Sequence, residues 1–286
     1  MDDESWSRLE EILRQDPGQR GIGALFLPGE LRRAVDALAA ARRAVIVTGF
    51  PVRSAGVAET DGPPGSAALG QALRALGCEV LHATDALGAP LLRSLGCEPL
   101  LTPLLDPRAP AGERAAAART WLEALRPDCL VAIERPGRAA DGEYRNMRGE
   151  SITHLVSALD EAFLQAPALS IATVGVGDGG NEVGMGRVRE RVAAAVPRGA
   201  EIASVVPVDH LVVTGVSTWG AWGLVAGLSR VAGRDLLPSR AQVREAMLAL
   251  LAAGACDGVS ARAEDTIDGL PLDASLGVLE ALRAAE

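Results

Sequence analysis

The sequence predicts an α/β fold, a three-layer α/β/α sandwich on a mostly parallel sheet, and two observations carry the prediction. Short apolar runs rich in β-branched residues alternate with longer Ala/Leu/Arg helical patterns, the signature of βαβ units. Polar, glycine-bearing segments follow directly on several of those runs, where open parallel sheets place their ligand crevice.

The expected strands, in chain order, are "AVIVTG" (44–49), "EVLHAT" (79–84), "EPLLTP" (98–103), "CLVAIE" (129–134), "LSIATVG" (169–175) and "HLVVTGV" (210–216). Helices are expected at 66–76, 86–95, 111–126, 151–165, 183–196, 218–232 and 240–253. Gly77 and Gly96, in "LGCEV" and "LGCEP", are placed to end helices in the left-handed conformation before the chain enters a strand. No Pro/Ser-rich linker or charge block divides 1–286, so a single domain on a Rossmann-like sheet is expected, with a loop-rich C-terminal addition.

Composition narrows the function. The 286 residues are 48% hydrophobic, enough for a substantial core. A net charge of −9 removes the broad basic face that nucleic acid or an anionic membrane requires, so neither is an expected partner. No apolar run reaches the roughly 20 residues of a bilayer span, and "MDDESWSRLEEILRQD" is acidic and amphipathic, unlike a signal peptide, so a cytoplasmic protein is expected. All 28 basic residues are arginine, which excludes a Walker lysine, a Schiff-base lysine and a lysine general base. Cys78, Cys97, Cys129 and Cys256 lack C-x-x-C spacing and read as reduced, mostly buried residues.

The stretch "GVGDGGNEVGMG" (175–186) poses the functional question. Gly175, Gly177 and Gly180 spell G-x-G-x-x-G, yet Asp178 and Glu182 would face a pyrophosphate with like charge. Acidic side chains on a glycine turn after a strand suit a hard divalent cation instead, and an all-oxygen donor set favours Mg or Mn over Zn. "GDGGNE" is similar to the magnesium loop of haloacid-dehalogenase-type phosphatases, but "TGFPVRSAG" stands where that family carries its aspartate nucleophile. A second polar segment, Arg135 to Glu150, has the length of a functional loop.

Six ordered blocks, "VTGFPV", "ETDGPPGSAALGQAL", "AIERPGRAADGEYRNMRG", "GVGDGGNEVGMGRV", "STWGAWGLVAGL" and "CDGVSARAEDTIDGL", together resemble the D-glutamate cyclase family. The resemblance runs from about Arg20 to Leu270; Thr218 stands before Trp219 where the family pattern has Asn. It implies a lyase that closes D-glutamate to 5-oxo-D-proline with loss of water, with a small-molecule substrate and, by analogy, a divalent metal, Mn or Mg. Two alternatives stay open: an Mg-dependent phosphohydrolase or other hydrolase of small acidic metabolites, and a non-catalytic binding domain for an acidic amino acid or nucleotide. Assembly as a homo-oligomer is left open.

That chemistry assigns expected roles. Asp178 and Glu182 are the metal ligands, with Asn181 orienting or ligating and Asp61 a fourth contributor at the catalytic centre. Arg148, then Arg138, are the bidentate partners for the substrate α-carboxylate, and Asn146 adds hydrogen bonds. Glu134 and Asp257 are the candidate general bases, since lysine is absent. Thr48 and Gly49 bring backbone amides to the substrate, while Trp219 and Trp222 read as core packing or a subunit interface.

Overall fold

The computed structural model describes residues 3–101 and 106–285. Helices α1 (Asp3–Leu13) and α2 (Glu30–Ala40) precede strand β1 (Arg43–Thr48). A hairpin of β2 (Pro51–Val52) and β3 (Val57–Ala58) leads to α3 (Pro63–Ala75), β4 (Glu79–Thr84), α4 (Ala89–Ser94), β5 (Pro99–Leu101), α5 (Ala111–Leu125) and β6 (Cys129–Ile133). Then come α6 (Asp160–Gln165), β7 (Ala172–Gly177), the short α7 (Arg189–Ala195) and α8 (Gly199–Ile202), β8 (His210–Val213) and the long α9 (Ser217–Ala232). Helix α10 (Arg240–Ala252), the hairpin β9 (Thr266–Ile267) and β10 (Leu270–Pro271), and α11 (Leu272–Ala284) close the chain.

All six expected strands join one parallel sheet, in the order β5-β4-β1-β6-β7-β8. Central strand β1 is apolar on both faces because both are covered. Ala44 and Ile46 pack against α1, α2, α3, α9 and α11, whereas Val45 and Val47 pack against the layer built from α5, α6, α7 and α8. The result is the expected three-layer sandwich. The sheet grows outward from β1 in one direction, then restarts beside it with β6. Parallel strands that diverge this way leave a crevice at their carboxyl ends. Here the crevice opens between Thr48 and Glu134, just beyond β1 and β6.

Several expected elements differ. The predicted helix at 183–196 reduces to α7 after a single 3-10 turn, because Gly184 N and Gly186 N donate to Val206 O and hold the segment flat against a neighbouring loop. The predicted helix at 151–165 keeps only α6: Ile152 N bonds to Tyr144 O and Tyr144 N to Thr153 Oγ1, tying its first half to the polar loop. Strand β7 starts three residues later than the run at 169 suggests and continues through Gly177. Thr102 and Pro103 of the third expected strand lie outside the described residues. Trp219 and Trp222 are core packing, both buried, with Trp219 Nε1 donating to Ser275 Oγ at 2.9 Å. All four cysteines are free and buried. Among the described residues no helix is long and apolar enough to cross a membrane.

Candidate functional site

A cavity of about 420 Å³ opens at the crevice. Its walls carry seven acidic side chains, the exposed Glu150 at the rim and Glu59, Asp61, Glu134, Asp178, Glu182 and Asp268 around one interior arginine, Arg20. They arrive from the two hairpins, the ends of β6 and β7, the start of α3 and the segment between α1 and α2.

The start of α9 organises two of them. The first N–H groups of a helix lack intrahelical partners, and its dipole favours negative charge there. Ser217 N donates at 3.0 Å to both Asp61 Oδ2 and Asp178 Oδ2, and Thr218 N donates to Asp61 Oδ1 at 2.8 Å. Thr218 also accepts a bond from Gly62 N through Oγ1 at 3.1 Å, so its hydroxyl serves the same junction.

Glu134 follows β6 directly in the left-handed region, φ +45°, an unusual place for a residue other than glycine. Gly62, itself at φ +90°, makes room for it: a Cβ there would stand 2.7 Å from Glu134 Cβ and 2.8 Å from Thr48 Oγ1. Glu134 Oε2, Thr48 Oγ1 and Ser217 Oγ are buried without a hydrogen-bond partner among the described residues. Backbone strain and orphaned polar atoms therefore coincide, the combination expected where a ligand completes the site.

One carboxylate oxygen from each of Asp61, Glu134 and Asp178 lies within 4.8 Å of the others. This buried all-oxygen triad fits a hard divalent cation. Burial, then repulsion from Asp178, Glu182, Glu59 and Asp61, raises the Glu134 carboxyl well above the usual carboxylate range. Burial also raises Asp178 despite the opposing charge of Arg20, and raises Glu59, with Asp61 and Asp268 adding to it. Asp268 is pushed up to about 7, chiefly by burial. Burial works against the Arg20 guanidinium, but Asp178 and Asp268 outweigh it and keep the group charged.

The other expected residues take varied positions. Glu182 lines the cavity, yet its carboxylate folds back on its own turn, accepting from Asp178 N at 3.0 Å, Gly179 N at 2.6 Å and Gly180 N at 2.7 Å. Gly175 and Gly177 belong to β7, so the turn proper begins at Asp178. Asn181 Nδ2 donates to Arg145 O at 2.8 Å and fastens the glycine loop to the polar loop. Asp257 accepts from Val259 N, Ser260 N and Gly269 N; these bonds outweigh the effect of burial and lower its pKa. It shapes the rim from behind, because Gly258, Val259 and Gly269 line the cavity and Asp257 does not.

Arg148 and Asn146 line the outer rim, with Arg148 Nη2 donating to Val259 O at 3.1 Å. Arg138 is absent from the lining: it forks onto Asp160 at 2.7 and 3.0 Å and reaches Glu161 at 2.7 Å. Tyr144 donates to the same Asp160. Gly49 N is engaged by Glu134 O at 3.2 Å, and Thr48 lies beneath Gly62. Sequence reasoning missed Arg20, Glu59 and Asp268 as site residues. Asp268 carried a local sign, the Asp-Gly turn dipeptide, but Arg20 meets Asp178 across 158 positions and carried none.

A family model described as "D-glutamate cyclase-like, C-terminal" matches residues 9–283. The mitochondrial D-glutamate cyclase of Homo sapiens is 41% identical over 233 residues, covering 77% of this chain. The chain spans 38% of that relative's length. Among solved structures, UDP-GlcNAc 2-epimerase from Neisseria meningitidis bound to UDP-GlcNAc aligns with 67% of this chain and 51% of its own at 13% identity, with a TM-score of 0.33. That overlap is too slight to carry an argument.

Proposed function

The chain belongs to the D-glutamate cyclase-like family, and from that premise we propose that its acidic cavity closes D-glutamate to 5-oxo-D-proline with loss of water. The observation that carries the reading is the unpartnered Glu134 carboxylate oxygen, buried beside Asp61 and Asp178.

The reaction joins the substrate's α-nitrogen to its γ-carboxyl carbon. The ammonium gives up two protons, and one γ-oxygen leaves with two as water, so no net proton is exchanged. A single group that takes a proton from nitrogen and returns it to oxygen therefore serves both halves. Glu134 suits that task by position, since its Oε2 is buried without a hydrogen-bond partner beside Asp61 and Asp178 and is free to take and return a proton. Its neighbours supply the negative potential that draws the ammonium inward. Ring closure is intramolecular, so walls that hold the folded conformer remove much of the entropic barrier.

Asp61 and Asp178 would hold the divalent cation, Mn or Mg, with Glu134 beside it. When bound, that ion would supply Lewis-acid activation of the γ-carboxylate. Glu182 does not compete for the ion in this arrangement; it keeps the turn that aims Asp178. The phosphohydrolase reading finds no support in the site, where the segment 48–52 offers no carboxylate nucleophile.

The test is direct. Purified protein is incubated with D-glutamate, L-glutamate or p-nitrophenyl phosphate, with Mn, with Mg or with EDTA, and 5-oxoproline and phosphate are followed. Formation of 5-oxo-D-proline that EDTA suppresses is expected. Phosphate release, or glutamate binding without product, would overturn the cyclase reading in favour of a hydrolase or a binding domain.

A further inference from the structure

Among the described residues three arginines line the cavity, and they differ in kind. Arg53 and Arg148 stand at the rim, the first 3.4 Å from Glu150, the second exposed and bonded to Val259 O. Arg20 is interior, its side chain only 16% exposed. Its Nη1 donates to Asp178 Oδ1 at 2.6 Å and its Nη2 donates to Asp268 Oδ1. The backbone behind it is fastened as well: Asp16 accepts from Arg20 N at 2.9 Å and from Gly21 N at 2.8 Å. The segment between α1 and α2 is thus built to present one guanidinium to the cavity floor.

Charge explains why such a group is needed. A dicarboxylic amino acid entering among six carboxylates meets repulsion at both of its ends. A cation held by the triad would answer the reacting γ-carboxylate; the α-carboxylate needs a counter-charge of its own. The bonds to Asp178 and Asp268 use two of a guanidinium's five N–H groups, leaving donors in the same rigid plane.

We propose that Arg20 binds the substrate's α-carboxylate and so selects amino acids with two carboxylates over those with one, a role that rests on the cyclase reading. Asp268 is its positioning residue, holding the fork in plane. Arg138, expected for this task, is committed to Asp160 and Glu161 outside the lining. Arg148 stands at the exposed rim with Nη2 bonded to Val259 O.

Two non-reacting or poorly reacting probes separate the possibilities. Glutarate carries both carboxylates without the amine, and 4-aminobutyrate carries the amine and the reacting carboxylate without the second. Binding of each to the Mn-loaded protein is measured by calorimetry for wild type, Arg20→Lys and Arg20→Gln, with Mn affinity followed by electron paramagnetic resonance. Arg20→Gln is expected to weaken glutarate at least about tenfold and Arg20→Lys to weaken it less, since a point charge replaces the fork. 4-Aminobutyrate and Mn affinities should stay within about threefold. Equal losses for both probes, no loss for either, or a loss of Mn binding that accounts for the change would overturn the assignment. Should Arg20→Gln fail to fold, Arg20→Lys carries the comparison alone, and equal effects on the two probes would again overturn it. The two readings fail separately: wild-type turnover with an unchanged glutarate to 4-aminobutyrate ratio in the variants refutes the role of Arg20 only. Absence of 5-oxoproline from wild type, with glutarate binding still dependent on Arg20, refutes the cyclase only.

Discussion

At the residue scale, the site depends on a side chain held in an uncommon backbone conformation. Glu134 sits at φ +45° with Gly62 packed against its Cβ position, so the two residues constrain each other. Gly62→Ala would put a side chain into that contact at φ +90°, and a destabilisation of about 1–3 kcal/mol is expected, with loss of turnover as Glu134 is displaced. Urea unfolding and a turnover assay check it; unchanged stability would mean the contact relaxes freely. Asp61, Glu134 and Asp178 were legible in the sequence because each follows or precedes a strand or helix end that marks the crevice. The division of labour among the acids was not. Glu182 resembles a ligand by spacing, yet three amide groups of its own turn claim its carboxylate, and only the folded turn reveals that. Arg20 and Glu59 lie beside glycines, Gly18 and Gly21 for the first and Gly62 for the second, but nothing local says which side chain enters the crevice, and tertiary packing brings them in.

At the element scale, β4 and α3 are joined by a buried histidine whose state follows from its partners. Arg74 Nη2 is a donor 3.4 Å from His82 Nδ1, so Nδ1 accepts and Nε2 carries the proton toward Ser66 O at 3.3 Å. Burial lowers the pKa of this imidazole to about 4, below its ordinary value of 6.5. The unfolded chain then takes up the proton first, so the contribution of His82 to stability is full above pH 6.5 and is lost as pH falls toward 4. Stability measured by urea unfolding should fall less between pH 6.5 and 4.5 in His82→Gln than in wild type; equal slopes would contradict a buried neutral imidazole. The six strands were readable because buried parallel strands are written as continuous β-branched runs. Helix α2 was not among the expected helices, although Leu31, Ala34, Val35 and Leu38 stand at helical spacing, because it precedes the first strand and lies outside the βαβ pattern. The first half of the 183–196 segment was not readable, since its backbone bonds go to Val206, far along the chain.

At the scale of the whole molecule, the fold concentrates negative charge at a switch point where parallel sheets hold ligands. Several of these carboxyls have folded pKa values above those of an unfolded chain, so the unfolded state releases their protons first and the metal-free protein loses stability as pH rises from about 4 through about 7. A divalent cation bound to the triad reverses that loss and no longer competes with protons at high pH. The rise in Tm on adding Mn should therefore be larger at pH 8 than at pH 5.5. A rise independent of pH, or none, would count against a cation at these residues.

The claim that this acidic switch point is a cyclase centre comes down to Glu134. Turnover of D-glutamate to 5-oxo-D-proline, followed by chiral chromatography for wild type and Glu134→Gln under saturating Mn, tests it most directly. Wild-type product formation and a loss of about 10²–10⁴-fold in the variant, with its fold intact, is the expected result. Equal rates in the two proteins, or no product from wild type, would contradict it.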